Sequence, residues 1–258
     1  MEQIYIGAMF FTVGICVGSF YNVLIYRLPR DMGFVRGRSF CPSCSHSLGA
    51  ADLIPIISFA ALGGKCRYCK EKISARYPLM ECLVGLLFVL AYMRYGISLE
   101  TAKYLILWSM LLIVGIIDLD NMFIMESVLF FFGVLLVIMA IACRDDIINS
   151  LLGAAAGLVM YYIIYFLAKR YYKKEAFGSG DVLLMLLIGF AVGLKHVLLA
   201  ALMPFYLAGL YLIVRQLMKR RLSRNSEIPF GPFMCLSAWL ISMYGQEIQD
   251  FLFRLVEF

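Results

Sequence analysis

The sequence predicts an all-α membrane protein with about eight transmembrane helices and one small cytoplasmic loop domain. Two observations carry this prediction. First, 63% of the 258 residues are hydrophobic and 16% are charged, whereas soluble domains average roughly 45–50% apolar and 25% charged residues. Second, the apolar residues form runs of about 20, the length of helix that crosses the hydrocarbon core of a bilayer. One soluble core could not bury so much apolar surface.

The predicted spans follow these apolar runs, at residues 4–26, 78–95, 101–117, 123–143, 147–168, 181–194, 196–214 and 229–246. The sixth run is short and contains Gly189 and Gly193, so a re-entrant or broken element is an alternative there. The predicted domains are a first transmembrane helix at 1–27, a cytoplasmic four-cysteine domain at 28–77 and a transmembrane core at 78–258.

Lysine and arginine set the predicted orientation, because positive charge is retained on the cytoplasmic side of a membrane. Of the 23 basic residues, 18 fall in loops one, five and seven. An even number of spans with both termini outside places these loops in the cytoplasm. The net charge of +6 therefore reflects topology, and we expect no nucleic-acid partner, since no aromatic-interleaved recognition motif accompanies it. The 18 residues are Arg27, Arg30, Arg36, Arg38, Lys65, Arg67, Lys70, Lys72, Arg76, Lys169, Arg170, Lys173, Lys174, Arg215, Lys219, Arg220, Arg221 and Arg224.

Two CxxC pairs lie in the long polar stretch after the first span, at Cys41, Cys44, Cys66 and Cys69. Their separation of 21 residues is close to that of structural zinc sites, in which four thiolates complete a tetrahedral shell. Zinc would supply folding free energy that so small a loop lacks. Two disulfides are the alternative, but thiols stay reduced in the cytoplasm. Because four cysteines fill the shell, we expect His46 to lie on the surface or behind the ligands.

Three aspartates are predicted at the cytoplasmic ends of spans three and six: Asp118, Asp120 and Asp181. Ionisable residues in membrane segments are costly and are therefore functional candidates. Two paired aspartates can share one proton, so that one acts as general base on water while the other polarises the scissile carbonyl of a peptide. Asp181 has an alternative explanation as the cap of a helix. Asp118 would lie at the negative pole of its helix, which disfavours a carboxylate and so favours a catalytic role.

Asp120 is a supporting position beside this pair, and three other supporting positions accompany it. Gly178 and Gly180 precede Asp181 and carry no Cβ, so an extended peptide can approach the backbone there closely. Glu81 lies near the cytoplasmic start of span two and is a candidate for binding a cationic group of a substrate. An ordinary interfacial charge is the alternative for Glu81.

Motifs along most of the chain also form one ordered set. They are Val17-Gly-Ser-Phe-Tyr-Asn22, Tyr26-Arg-Leu-Pro29, the two CxxC pairs, Asp52-Leu-Ile-Pro55, Gly64-Lys-Cys66, Arg76-Tyr-Pro-Leu-Met-Glu81, Asp118-Leu-Asp120 and Glu175-Ala-Phe-Gly-Ser-Gly-Asp181. In this combination the chain resembles the type IV prepilin peptidases, which are bacterial inner-membrane enzymes of the Gly-x-Gly-Asp aspartic protease class.

The resemblance implies that Asp118 and Asp181 are the catalytic pair of a transmembrane aspartic protease core at 78–258. It implies an inner-membrane location with the catalytic and zinc sites facing the cytoplasm. It also implies two activities, which serve type IV pili or protein secretion. One removes a short basic leader from prepilin or pseudopilin precursors, and the other N-methylates the new N-terminus with S-adenosylmethionine. The resemblance assigns no residues to the S-adenosylmethionine site.

Two positions depart from the family pattern. Met125 stands where the family commonly has proline, and Leu183 stands where it often has lysine. Both predicted catalytic carboxylates are kept, so the departures bear on substrate identity more than on catalytic class. A non-catalytic membrane assembly protein with a zinc docking loop is an alternative, which would need the cysteines but not both aspartates. A proton-relay transporter is a second alternative, but the spans offer almost no further carboxylates for the relay.

Overall fold

A computed structural model of the protein describes residues 1–33, 37–172, 178–218 and 228–256. Several predicted features lie outside these ranges: Arg36, Lys173, Lys174, Lys219, Arg220, Arg221 and Arg224 of the basic loops, and Glu175, Ala176 and Phe177 of the glycine motif. The described residues form α1 (Glu2–Arg27), α2 (Ile57–Ala61), α3 (Arg76–Tyr95), α4 (Leu99–Asn121), α5 (Glu126–Ala142), α6 (Ile147–Tyr172), α7 (Ser179–Leu217) and α8 (Gly231–Val256).

The prediction of a helical multi-span membrane protein is confirmed. Among the described residues, five helices are long and apolar enough to cross a membrane, namely α1, α3, α4, α6 and α7. Helix α5 is apolar but has only 17 residues. Large apolar side chains cover its outer surface, with Phe130 76% exposed and Ile138 54% exposed. Such a surface is suited to lipid, because soluble proteins rarely expose large contiguous apolar patches.

The chain forms two compact units, Met1–Thr101 and Ala102–Phe258. In the first unit α1 and α3 pack backbone to backbone through small residues. A Cβ built on Gly14 would lie 2.7 Å from the Cα of Gly85, and one built on Gly18 would lie 2.9 Å from the Cα of Glu81. Glycine is needed at both positions, because small residues allow membrane helices to approach this closely.

The loop between α1 and α3 builds the same turn twice. The backbone N–H of Ser45 donates to the carbonyl of Cys41 at 2.8 Å, and the N–H of Lys70 donates to the carbonyl of Cys66 at 3.1 Å. Ser45 and Lys70 both adopt left-handed backbone angles, with φ of 57° and 62°. Each turn therefore closes around one CxxC pair, as the local spacing predicts.

Helix α4 forms the centre of the second unit. Its buried residues surround the helix on several faces, and each is at most 3% exposed: Leu107, Trp108, Met110, Leu111, Ile113, Val114 and Ile117. A helix that is apolar nearly all round lies inside a bundle rather than at its edge. Asp118 in the last turn of α4 is also buried, whereas Leu119 and Asp120 next to it are exposed.

Helix α7 reverses direction at Gly193, where φ is 72° and ψ is 173°. A methyl group of Val197 lies 3.2 Å from the position of a Cβ on Gly189, whereas residues eight apart in a continuous helix are separated by about 12 Å along the axis. The halves 179–192 and 194–217 therefore run back along each other, and they correspond to predicted spans six and seven. Asn149 accepts the N–H of Leu194 at 3.2 Å, which satisfies an amide that the break leaves without a helical partner.

Candidate active site

Three helix ends of the second unit converge on Asp118 and Asp181. Asp118 lies in the last turn of α4 and is 5% exposed, and Asp181 is the third residue of α7 and is 8% exposed. The two carboxyl groups are near enough to interact electrostatically. The third helix end is the start of α8, where Gly231 contacts Asp118. The structure thus brings the two predicted aspartates together at one buried location.

The N-terminus of α8 explains how a carboxyl group is accommodated at the end of α4. The N–H of Gly231, the first residue of α8, donates to Oδ2 of Asp118 at 2.9 Å. Helix N-termini carry unsatisfied amides and partial positive charge, which offset the negative pole of α4. A Cβ at position 231 would lie 2.7 Å from Oδ2 of Asp118, so the contact requires glycine. The sequence prediction missed Gly231, and its signal was the Pro-Phe-Gly-Pro stretch at 229–232 that opens the last span.

The glycines before Asp181 have local structural roles. Gly178 is the N-cap of α7, and its N–H donates to Oδ2 of Asp181 at 3.1 Å. The capping alternative for Asp181 therefore holds alongside its proximity to Asp118. A Cβ on Gly180 would lie 2.7 Å from the Cβ of Ile124, in the linker between α4 and α5. Gly180 thus lets the start of α7 pack against the segment that follows Asp118.

Two further side chains lie near the aspartate pair. Cys235 of α8 interacts electrostatically with both Asp118 and Asp181, and Tyr161 of α6 interacts with Asp181. The Tyr161 hydroxyl donates to the carbonyl of Ala201 at 3.0 Å. Both side chains are buried, so they help to exclude water around the pair. No motif indicated either residue, because only the packing of α6 and α8 brings them to this place.

The remaining predicted residues of this unit lie at its surface. Asp120 is exposed, two residues beyond the buried Asp118. Met125 is the N-cap of α5 with φ of −80°, a value that proline also adopts, so this departure leaves the backbone path unchanged. Leu183 is 36% exposed on α7. Both departures from the family pattern leave the two carboxyl groups in place.

The four cysteines of the first unit form one cluster. Their sulfur atoms all lie within 4.8 Å of one another, and those of Cys41 and Cys69 are 3.9 Å apart. A tetrahedral shell with metal–sulfur bonds of about 2.3 Å has edges of about 3.8 Å, whereas a disulfide bond is about 2.05 Å long. All four are free thiols. The cluster therefore fits a metal ion better than it fits two disulfides.

The electrostatics of the cluster also favour a cation. The backbone N–H of Cys44 lowers the pKa of the Cys41 thiol to about 7. The N–H of Glu71 lowers the pKa of Cys69, but burial and the three neighbouring sulfur atoms outweigh it and raise that pKa to about 12. Four adjacent thiols cannot all ionise unless a metal ion balances their charge. His46 packs against Tyr68, with ring centroids 3.6 Å apart and ring planes inclined by 33°, and it is exposed as predicted.

Glu81 is buried inside the first unit, at 7% exposure. Its Oε2 accepts the N–H of Ile56 at 2.7 Å, and its carboxylate also accepts the hydroxyl of Ser19. It lies on the wall of a cavity of about 420 Å³. This environment argues against the alternative of an ordinary interfacial charge and agrees with a binding role.

Comparison with known proteins gives two family matches. The description "Bacterial Peptidase A24 N-terminal domain" matches residues 12–95, and "Type IV leader peptidase family" matches residues 105–213. The gap between the two matches contains the boundary between the compact units, after Thr101. No solved structure matches the chain.

Several curated relatives carry the name prepilin leader peptidase/N-methyltransferase. The Bacillus subtilis (strain 168) protein is 34% identical over 248 residues, which cover 96% of this chain and 98% of that protein. The Pseudomonas putida protein is 31% identical over 280 residues, covering 96% and 94% of the two chains. The Myxococcus xanthus (strain DK1622) protein is 46% identical over 121 residues, covering 45% and 36%. With such similarity along its whole length, the chain belongs to the type IV leader peptidase family.

Proposed function

We propose that this protein cleaves the leader of type IV prepilin or pseudopilin precursors and then methylates the new N-terminal amine. The observation that carries the peptidase activity is the burial of Asp118 and Asp181 together at three converging helix ends. The relatives named for both activities extend over nearly the whole chain, which supports the second activity.

The aspartate pair has the groups that peptide hydrolysis needs. Two buried carboxyl groups that repel each other are expected to hold one proton between them. The ionised carboxylate takes a proton from water as the water oxygen attacks the scissile carbonyl, and the protonated one donates to the carbonyl oxygen. Collapse of the tetrahedral intermediate breaks the C–N bond, and the leaving amine takes up a proton.

Backbone amides orient both carboxyl groups for these steps. The backbone N–H of Gly231 donates to Oδ2 of Asp118, and that of Gly178 donates to Oδ2 of Asp181. The second oxygen of each carboxyl group is thereby left for water and for the substrate carbonyl. Because both amides belong to helix starts, the side chains are positioned by rigid elements before the substrate arrives.

We further propose that zinc occupies the thiolate cluster of Cys41, Cys44, Cys66 and Cys69. The four sulfur positions fit a closed tetrahedral shell, and a closed shell has a structural role. In the second activity, S-adenosylmethionine supplies the methyl group, leaving S-adenosylhomocysteine and releasing the proton of the methylated amine.

We propose that the chain crosses the bacterial inner membrane eight times, with the cysteine loop and the aspartate pair on the cytoplasmic side. The eight crossings would be α1, α3, α4, α5, α6, the two halves of α7, and α8. Five of these helices are long and apolar enough to cross a membrane. The longest of them, α7, is divided into two halves by the reversal at Gly193. Reporter fusions in the 28–77 loop should therefore report the cytoplasm, and a periplasmic signal there would reverse the orientation.

The decisive experiment incubates the purified full-length protein in detergent with a panel of prepilins and pseudopilins, with and without S-adenosylmethionine. Mass spectrometry should show loss of the basic leader in both conditions, and a further methyl group only when the donor is present. An intact panel, with a known leader peptidase cleaving the same substrates in parallel, would favour the non-catalytic assembly protein.

A further inference from the structure

We propose that the cavity of the first unit is the S-adenosylmethionine site and that Glu81 is the counter-ion of the positive charge on this donor. This inference rests on the methyl transfer in the proposed function. It locates that activity in Met1–Thr101, whereas Asp118 and Asp181 belong to the second unit.

The size and lining of the cavity suit a nucleoside-bearing cofactor. Its volume of about 420 Å³ falls within the roughly 300–1,000 Å³ of small-molecule sites, which combine mostly apolar walls with a few placed polar groups. Cys41 and Cys66 of the cysteine cluster line one part of it, so the metal ion would border the space left for the cofactor. Phe40, Phe59 and Tyr77 contribute aromatic surface, and Leu48 and Leu62 contribute aliphatic surface. Aromatic side chains offer faces on which an adenine ring can stack.

Glu81 is the buried acidic side chain of this cavity, and it lacks a cation, whereas Glu71 and Lys72 of the same lining are exposed. Among the residues that the structure describes, no lysine or arginine pairs with it. The carboxylate of Asp52, which also lines the cavity, is already bound by Arg67 at 2.6 Å and by the hydroxyl of Tyr68 at 3.0 Å. The buried Arg27 donates to two backbone carbonyls, those of Gly33 and Arg38.

A buried carboxylate without a cation is costly. The sulfonium of S-adenosylmethionine would supply the missing positive charge. The amide of Ile56 and the hydroxyl of Ser19 orient the Glu81 carboxylate, so its position is fixed in advance of binding.

The backbone at Ile56 provides an independent sign of a ligand site. Ile56 has φ of 61° and ψ of −49°, a conformation that is strained for a β-branched residue. In this conformation its N–H reaches the Glu81 carboxylate. Strained backbone of this kind clusters at ligand sites, where it holds a polar group in a required place.

The test measures binding rather than turnover. Isothermal titration of the full-length protein in detergent should show that wild type binds S-adenosylmethionine more tightly than S-adenosylhomocysteine, whose sulfur is neutral. Glu81→Gln should weaken binding of S-adenosylmethionine roughly ten- to a hundredfold, since the attraction between the carboxylate and the sulfonium is lost. It should change binding of S-adenosylhomocysteine much less. Glu100→Gln is the matched control, because Glu100 is exposed in the first turn of α4, and its affinities should equal those of wild type.

A second variant tests the cavity without altering charge. Val23 lines the cavity from α1, and Val23→Phe should fill the space and weaken both ligands by tenfold or more. If Glu81→Gln melts well below wild type, its loss of binding could come from unfolding. The binding measured with Val23→Phe then tests whether the cavity is the S-adenosylmethionine site. Wild-type affinity for S-adenosylmethionine in both folded variants would overturn the inference, as would a lipid occupying the cavity of protein that binds no S-adenosylmethionine.

Leader cleavage by the same wild-type preparation separates the two proposals. Cleavage without any binding of S-adenosylmethionine overturns this inference and leaves the peptidase standing. Binding that depends on Glu81, in a preparation that cleaves no prepilin, upholds the inference and overturns the peptidase.

Discussion

The two units of this protein place their functional groups in opposite ways. In the first unit, two short turns set the four cysteines, and residues 41–44 and 66–69 already contain the whole cluster. In the second unit, Asp118 and Asp181 are 63 residues apart in the sequence, and the amide that binds Asp118 is 113 residues away. The cysteine cluster depends on local turns and a metal, whereas the aspartate pair depends on the packing of apolar helices.

Because of this difference, we expect a perturbation to unfold the cysteine loop of the first unit but only to inactivate the aspartate pair of the second. The cysteine loop has few buried apolar side chains. Of its described residues, 28–33 and 37–75, the buried hydrophobic ones are Cys41 and Cys66. Removing the metal should therefore unfold it. The second unit has a large apolar core around α4, so a polar substitution at its site should remove activity while the fold persists.

The largest expected effect is loss of the metal. Purified protein should contain about one zinc per chain, and replacing the exposed ligands together, Cys44→Ser with Cys69→Ser, should release it. Structural zinc contributes an apparent folding free energy of about 10–16 kcal/mol in isolated zinc-binding peptides, so the loop should lose its structure. Metal analysis and limited proteolysis of the 28–75 segment would measure both effects.

Cys16→Ser is the control for this experiment, because Cys16 is exposed on α1, outside the cluster. It should keep the full metal content. Stoichiometric disulfides and no metal, in protein isolated with its thiols trapped, would refute the zinc site.

The next largest effect is expected at the aspartate pair. Asp118→Asn and Asp181→Asn each preserve shape but remove the ionisable group, so leader cleavage should fall by about 10⁴-fold or more. The melting temperature should stay close to that of wild type. Asp120→Asn, at the exposed neighbour two residues on, should have a milder effect. Near-normal cleavage by either buried variant would break the proposed pair, and complete loss with Asp120→Asn alone would mean that Asp120 carries the chemistry.

Features set by local chemistry were predictable from the sequence. Apolar runs predicted the helices, including the separation of spans six and seven that is found at Gly193, and the CxxC spacing predicted the sulfur cluster. Ionisable groups are costly in apolar membrane helices, so Asp118 and Asp181 are functional candidates from the sequence alone. Each of these signals lies within a few residues of the feature that it predicts.

Features set by tertiary packing could not be predicted in this way. The amide of Gly231 reaches Asp118 only because α8 begins beside the end of α4. The small size of Gly180 matters because Ile124 lies against it, which differs from the predicted reason of peptide approach. Glu81 was predicted as a binding residue because it is a charged residue near the start of a span. The cavity beside it could not be predicted, because α1, α3 and the loop form it together.

Gly231→Ala should have an intermediate effect that sharpens the comparison. Its methyl group would lie 2.7 Å from Oδ2 of Asp118, which forces the carboxylate away from the amide of α8. Losing a hydrogen bond to a charged group costs about 1.5–3 kcal/mol, so leader cleavage should fall roughly ten- to a hundredfold. Gly209→Ala is the control, since nothing lies within 4 Å of a Cβ there. Unchanged cleavage by Gly231→Ala would show that this amide does not position Asp118.

The smallest effect is expected at the reversal of α7. Gly193→Ala places a side chain at φ of 72°, a left-handed conformation that costs an L-residue about 1–2 kcal/mol, and its Cβ would also press on the side chain of Asn149. The melting temperature should fall by about 2–8 °C, as followed by circular dichroism in detergent. Gly209→Ala in the second half of the same helix should instead leave it unchanged or raise it slightly, because alanine is the better helix former. A higher melting temperature for Gly193→Ala would mean that residues 179–217 form one continuous helix, and the two halves of α7 could not then be separate membrane crossings.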